Sequence, residues 1–496
     1  MAVSILVNPQ LYSPVYNSIV FTVDSTNKTQ CNFRYLCDVY VNGVLIAPLK
    51  AYPVGSNGYA DFKINRAIQD YLSFNLNNNL YGFSDNDQSI CKYVCKFGEE
   101  YDSSVDCDAG TTVYSDLTTT GSFYAWNGAM QYKEFHDFDY DDYVVDDSSA
   151  KFLTNAPSQL MIGLGQQFAI NFLNTITSTV KKGVVKTYDS TGTIINTYTI
   201  DNGYYTVGAS DIYNRMVSWG VGPDNLNNST LSSGSQPVIT SNVNYYTVYL
   251  ADNSNNVISE TKRFNIDTRY TKYGVNRFWW LNRLGGFDAY SYDLLSSRGV
   301  SINRTEYHKL MGSFDSATSP DTWHYNIGDR GRTNISIDAQ VKFSYNSNWL
   351  TEDEAVWMEE LFTSPEVYLI DTLNHNCDNI TDWECSGGDP NYVKIFVSDI
   401  DLYSVGDSVL MTFSGGGVHT GTINVVGDDY IQLTTLCNDF DETDTTGEVY
   451  VLGFDAELDP LIITSTAWEE KLKYKTKNIQ YLIDVDKAYK INLQRN

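Results

Sequence analysis

Trp279 and Trp280 stand side by side in the stretch Arg277-Phe278-Trp279-Trp280-Leu281-Asn282-Arg283-Leu284-Gly285-Gly286-Phe287-Asp288-Ala289-Tyr290. Neighbouring side chains on a strand point to opposite faces. Two adjacent indoles therefore require a strand covered on both sides, by its own core and by a second layer or a partner. Gly285-Gly286 interrupts the apolar run, and glycine permits a positive φ or a close backbone approach there. The stretch predicts a strand, a sharp corner and a second strand at a junction between domains. Two readings are open. One is an ordinary core hairpin. The other is an assembly interface made by Arg277, Trp279, Trp280, Asn282, Arg283, Gly285, Gly286, Phe287 and Asp288, because arginine and aromatic side chains are enriched at interfaces.

The rest of the chain also favours strands. It has 38 Tyr, and aromatics make up 14% of its 496 residues. With many Thr, Val and Ile this composition suits a pleated surface better than a helix. At roughly 100–200 residues per domain, three or four domains are expected. Residues 1–150 read as one sandwich, with strands at 15–23, 32–44, 59–64 and 90–97, a tight turn at Asn42-Gly43 and a helical turn or two within 65–74. Residues 151–267 read as a second, with strands at 168–173, 180–188, 194–200, 216–221 and 245–250 and a closing segment at 257–266. The polar loop 222–236 reads as mobile or ordered by a partner.

Residues 268–375 resume at 451–496 as a β-rich domain. Its strand 334–345 alternates well. Thr351 and Glu354 form a capping box for a helix over 352–362, which Pro365 ends. Residues 376–450 read as an insertion, a small curled barrel of SH3 type. The expected fold class is mainly β: tandem immunoglobulin/fibronectin-like sandwiches, a C-terminal β-rich domain with one helix, and the inserted SH3-like barrel.

Net charge is −28. Such a chain is repelled by nucleic-acid phosphates and by anionic membranes. No run of 18 apolar residues suggests a membrane span, and the N-terminus does not read as a Sec signal. Residues 261–314 depart from the average, with nine Lys/Arg against four Asp/Glu. They read either as surface patchiness or as an electropositive interface for the acidic surface of a neighbour.

The motifs of catalysis are missing. There is no Gly-x-Ser-x-Gly elbow, no His-Glu-x-x-His and no phosphate-binding Gly-x-x-x-x-Gly-Lys loop. The five His (His136, His308, His324, His375, His419) have no second His at ligand spacing. Residues 134–147 interleave carboxylates with aromatics. They read as a solvated linker, with calcium binding a weaker alternative because EF-hand spacing is lacking. The eight Cys read as small buried hydrophobes, although a four-thiolate zinc site is conceivable from Cys31-x5-Cys37 and Cys91-x3-Cys95. The expectation is no catalytic residue, no metal and no cofactor.

Three patches carry a resemblance: LYSPVYNSIVFTVDST…FRYLCDVYVNG, RFWWLNRLGGFDAYSYD and KFSYNSNWLTEDEAVWMEELFTSPEVYLID. They resemble virion structural proteins of tailed phages infecting Bacteroidetes, most closely the ring or collar proteins of the neck and tail in crass-like podoviruses. The resemblance implies a cyclic homo-oligomer, sixfold or twelvefold, in the virion. It implies contacts with other tail ring proteins, the portal and fibres, and a lumen through which DNA passes. An acidic wall suits that lumen, since a basic one would retain DNA. Two alternatives are a receptor-binding or fibre-attachment protein that contacts host glycans, and a tail-associated glycan-degrading enzyme.

Overall fold

The computed structural model describes residues 3–74, 76, 80–104, 107, 111–115, 117–175, 180–204, 215–240, 242–267, 275–315, 322–324, 328, 330–371, 377–385, 392–397, 400, 403, 405–406, 408–413, 418–436, 447–452, 457–465 and 479–488. They form a mainly β architecture of several sheets with a few short helices. The chain divides into two units. The first holds Met1–Tyr270, Trp279–Tyr290 and Ile370–Glu457; the second holds Thr271–Phe278, Ser291–Leu369 and Leu458–Asn496.

In the first unit, strand Cys31–Val41 shows how sequence sets a face. Phe33, Tyr35, Cys37, Val39 and Val41 are buried, while the residues between them are not. This is the period of two that a half-covered strand demands. Asn42 and Gly43 both have positive φ, 49° and 86°. That backbone matches the twist of a two-residue hairpin and returns the chain as Val44–Ala51. The long partner strand Ile90–Asp102 lies on the other side of Cys31–Val41. A three-stranded sheet, Val3–Val7, Val20–Ser25 and Ala60–Lys63, packs on this one. Phe21 and Phe97, with ring centroids 5.3 Å apart, close the shared core.

A second pair of sheets follows in the same unit. Five strands run in the order Gln159–Gly163, Lys262–Asp267, Tyr245–Ala251, Lys182–Tyr188 and Ile194–Asp201, with the parallel pair Gln159–Gly163 and Lys262–Asp267 at one edge. The facing sheet has three strands: Ala169–Asn174, Arg215–Gly220 and Phe83–Asn86. The last comes from far upstream, inside the segment read as the first sandwich. Phe83 pairs with Trp219 in register, and their rings stack at 5.2 Å. Asp85 forms an ion pair with Arg215. Gly183 lies where any side chain would overlap the Trp219 ring.

The loop 222–236, expected to be mobile or ordered by a partner, makes hydrogen bonds to its own chain. Pro223–Asn228 is a short helix. Asn225 is fully buried, accepts from the Phe168 amide (2.9 Å) and donates to the Leu80 carbonyl (3.0 Å). The first part of the loop is largely buried and its polar side chains are hydrogen-bonded there, while most of residues 230–236 are exposed.

Within residues 377–452 six strands pair in the order Cys377–Cys385, Tyr392–Val397, Tyr430–Leu436, Val418–Val426, Ser408–Phe413 and Gly447–Leu452, and the last pairs with the first. Ile395, Val409, Met411, Ile431, Leu433 and Val449 fill their interior.

In the second unit, strands Glu457–Ile463, Leu482–Lys487, Arg332–Asn346 and Ser297–His308 are neighbours in that order. Helix Glu352–Thr363 starts as expected: the Thr351 hydroxyl accepts from the Glu354 amide, and the Glu354 carboxylate accepts from the Thr351 amide at 2.8 Å. It buries Ala355, Trp357, Met358 and Leu361, and Phe362 meets Tyr481 edge-on at 5.6 Å. The stretch 468–474 and the hairpin tip 414–417 fall outside the described residues.

Candidate functional site

The stretch around the double tryptophan is a hairpin: strands Asn276–Leu281 and Phe287–Tyr292 flank a turn at Asn282–Gly286. Asn282 holds the turn. Its side-chain oxygen accepts from the amides of Leu284 and Gly286, both at 3.0 Å, and its side-chain amide donates to the Leu153 carbonyl at 3.0 Å. Gly285 has φ +88°, and a Cβ on it would overlap the Asn127 carbonyl. A Cβ on Gly286 would overlap the Asn171 side chain.

The remaining contacts are of the same kind. The Trp126 indole donates to the Leu284 carbonyl (3.2 Å), and the Ala129 amide donates to the Arg283 carbonyl (2.6 Å). The Arg283 guanidinium lies 3.4 Å from Glu134. The Phe287 ring packs on Phe74 at 4.9 Å, and the buried Asp288 accepts from the Thr154 hydroxyl at 2.7 Å. Arg277 is buried and donates to the Ser291 hydroxyl at 2.7 Å. Trp279 and Trp280 are buried too.

The structure therefore brings the nine predicted interface residues into one element, but an inward one. Their side chains are covered by the chain itself, Arg283 excepted in part. A subunit contact needs surface that is still open, so this hairpin serves as a tie within the chain. The core-hairpin reading is the one its burial supports.

The acidic run 134–147 is more than a linker. Phe135 stacks on Phe138 at 5.9 Å, and Phe138 packs on Trp126 at 5.7 Å. Several carboxylates are engaged: Glu134 accepts from the Gln131 amide (2.9 Å), Asp142 pairs with Lys151 (2.8 Å), and Asp147 accepts from the Ser149 amide (2.7 Å). Among the described residues no group of three or more His, Cys, Asp or Glu could hold a metal ion.

The cysteines split. Cys31 and Cys107 form a disulfide, and Cys385 is also disulfide-bonded, contrary to the reading of the cysteines as small buried hydrophobes. Cys31 is thereby taken from any four-thiolate set with Cys37. Cys37, Cys91 and Cys95 are buried and free, as expected. A hydrogen bond with Cys95, then burial, raises the Cys37 thiol, and burial pushes Cys91 up to about 12. Such thiols stay protonated and are poor nucleophiles. His308 and His324 are exposed, and the exposed His136 faces Asp137 at 2.7 Å. His375 and Cys437 lie outside the described residues.

Open surface is found in the second unit. Strand Ser297–His308 is exposed at all twelve positions. It pairs with Arg332–Asn346 along its whole length, Ser297 opposite Ser344 through His308 opposite Arg332. Its two faces differ. Arg298, Val300, Ile302 and Arg304 alternate onto one, opposite Phe343, Val341, Ala339 and Ile337. Ser297, Gly299, Ser301, Asn303 and Thr305 occupy the other. Val341 is buried, yet Val300 across from it and Ile302 beyond are each 43% exposed. The apolar stripe starts in the core and runs out of it along the ribbon.

Beyond the ribbon, Ser313–Asp315 pairs with Thr322–His324, which sets Phe314 opposite Trp323, both exposed. Leu310 is 79% exposed. We call the ribbon 297–346 the arm. The sequence signalled only its second strand. Ser297–His308 lacks a strong apolar alternation because its stripe holds just Val300 and Ile302 between two arginines.

Among the described residues no helix is long and apolar enough to cross a membrane. Comparison of the chain with protein-family models and with curated protein sequences returns no match.

Proposed function

We propose that this chain is a non-catalytic structural subunit of a phage virion. It assembles into a closed homo-oligomeric ring in the neck or tail, between the portal and the distal tail, around the channel through which DNA passes. The paired sheets are then immunoglobulin- or fibronectin-like modules, and the six-stranded element at 377–452 is an SH3-like barrel. The sequence patches given above supply the virion context. One structural observation supports an assembly role: the arm, whose first strand is exposed at every position while carrying an apolar stripe. A two-stranded ribbon is marginal in water without a surface to cover its apolar face. Val300 and Ile302, exposed together on one face of the ribbon, are the apolar surface that such a contact would cover. The net charge of −28 fits a wall past which DNA slides.

The test is the mass and shape of the purified full chain, by native mass measurement and negative-stain imaging. The reading expects closed rings. Replacing residues 299–340 with a short Gly-Ser turn should leave folded monomers. A parent chain that stays monomeric at every concentration, alone and with its portal, defeats the reading.

A second reading, contact with host glycans, draws on the facing pair Phe314 and Trp323 at the arm's far end. Exposed aromatic faces can stack on sugar rings. Binding of the parent to capsule glycans, lost in Trp323→Ala without loss of assembly, would favour it.

A further inference from the structure

We infer that the apolar face of the arm docks on a second copy of this chain, against its edge strand Val3–Val7 and the adjoining Leu11. The acidic run fastened to Gln10, just beyond that strand, then receives Arg298 and Arg304. This names the partner surface for the assembly proposed above and rests on that reading.

Charge selects the occupant. The shaft of the arm, residues 297–309 and 330–346, carries six Lys/Arg and two Asp/Glu in a chain of net −28. Glu306 is paired with Arg332. Arg298 and Arg304 make no ion pair among the described residues. They bracket Val300 and Ile302, so whatever covers the stripe must offer apolar surface between negative groups. Arm against arm would set these arginines on their own equivalents, and like charges brought together at an interface are costly. The contact is therefore heterologous, and repetition of such a contact closes a ring when the rotation allows.

The first unit offers a surface of that composition. Val3–Val7 is the outer strand of its sheet, paired with Val20–Ser25. It carries neither charge nor proline; its one protective irregularity is a break in register between Ile5 and Val7. Leu6 and Val7 are about half exposed, and Leu11 is exposed beside them. Gln10 fastens the strand's continuation to the acidic run, donating to the Phe138 carbonyl (2.7 Å) and accepting from the Tyr140 amide (2.8 Å). Residues 133–147 hold seven Asp/Glu against one Lys. Burial, then Asp147 and Asp141, raises the Asp146 carboxyl above its ordinary value, so part of this charge is unrelieved within the chain. An incoming guanidinium relieves it.

A charge exchange tests the pairing. The arm variant is Arg298→Glu with Arg304→Glu; the body variant is Asp137→Lys with Asp141→Lys. All four residues are exposed, so both variants should melt with the parent. Each alone should associate at least about tenfold more weakly in sedimentation velocity. An equal mixture should recover association to within about threefold of the parent, because each arm then finds an opposite body. If the arm variant fails to associate but the body variant assembles normally, or the mixture stays apart, the arm docks elsewhere and the inference is wrong while the ring reading stands. An arm variant that assembles like the parent also overturns it. A parent that never associates removes both.

Discussion

Gly285 and Gly43 share a left-handed backbone, with φ +88° and +86°, yet differ in surroundings. Nothing lies within 4 Å of a Cβ on Gly43, whereas one on Gly285 meets the Asn127 carbonyl. Gly43→Ala should cost the backbone strain alone, about 1 kcal/mol. Gly285→Ala adds the displacement of a packed carbonyl and should cost about 3 kcal/mol. Denaturant midpoints of the two variants measure the difference; equal losses would mean that the close approach has no weight. Asn282 is the other fixed point. Its side chain meets three backbone groups. Asn282→Ala leaves those groups buried without it and should lose about 2–3 kcal/mol, while Arg283→Ala, which gives up a partly exposed 3.4 Å ion pair, should lose under about 1 kcal/mol.

At the scale of the element, the disulfide Cys31–Cys107 joins the start of one central strand to the loop after its neighbour, across a separation of 76 residues. Closing a loop of that length limits the unfolded chain, by about 4 kcal/mol in the entropic account and 2–4 in practice. Cys31→Ser with Cys107→Ser should lower stability by that amount. Reductant should lower the parent by at least as much, and should move the variant only by what the remaining Cys385 bridge contributes. Elements of this kind were unevenly legible. Cys31–Val41, the Asn42-Gly43 turn and helix Glu352–Thr363 were readable because alternation, turn residues and a capping box each act within a few positions. Phe83–Asn86 was not, since four residues carry no period and only pairing with Arg215–Gly220 makes them a strand. Nor was the bridge to Cys107, because thiol spacing in sequence does not report distance in space. In the Trp279–Trp280 hairpin the sequence located the turn but not the direction its side chains face. Adjacent indoles demand cover on both sides and are silent on whether the cover is another subunit or, as here, the same chain.

For the whole molecule, two electrostatic effects of different range compete. A charge of −28 per copy makes copies repel across tens of ångströms at low salt, whereas in the proposed contact the arm's arginines would act only at short range. The screening length falls from about 30 Å at 0.01 M salt to about 10 Å at 0.1 M and 3 Å at 1 M. Association should therefore strengthen from about 0.01 to 0.1 M salt, as repulsion is screened, and weaken towards 1 M, as the arginine contacts are. Sedimentation across this range reads both limbs. The variant Arg298→Glu with Arg304→Glu should lack the falling limb; its persistence would show that the arginines are not what salt acts on.

Phe83–Asn86 completes a sheet whose other strands begin more than eighty residues later. A fragment ending near residue 150 would carry a segment whose place is elsewhere, and one starting there would have a gap in a sheet flank. Recombination that trades intact modules cannot cut here without breaking both neighbours. These two sandwiches should therefore be inherited together.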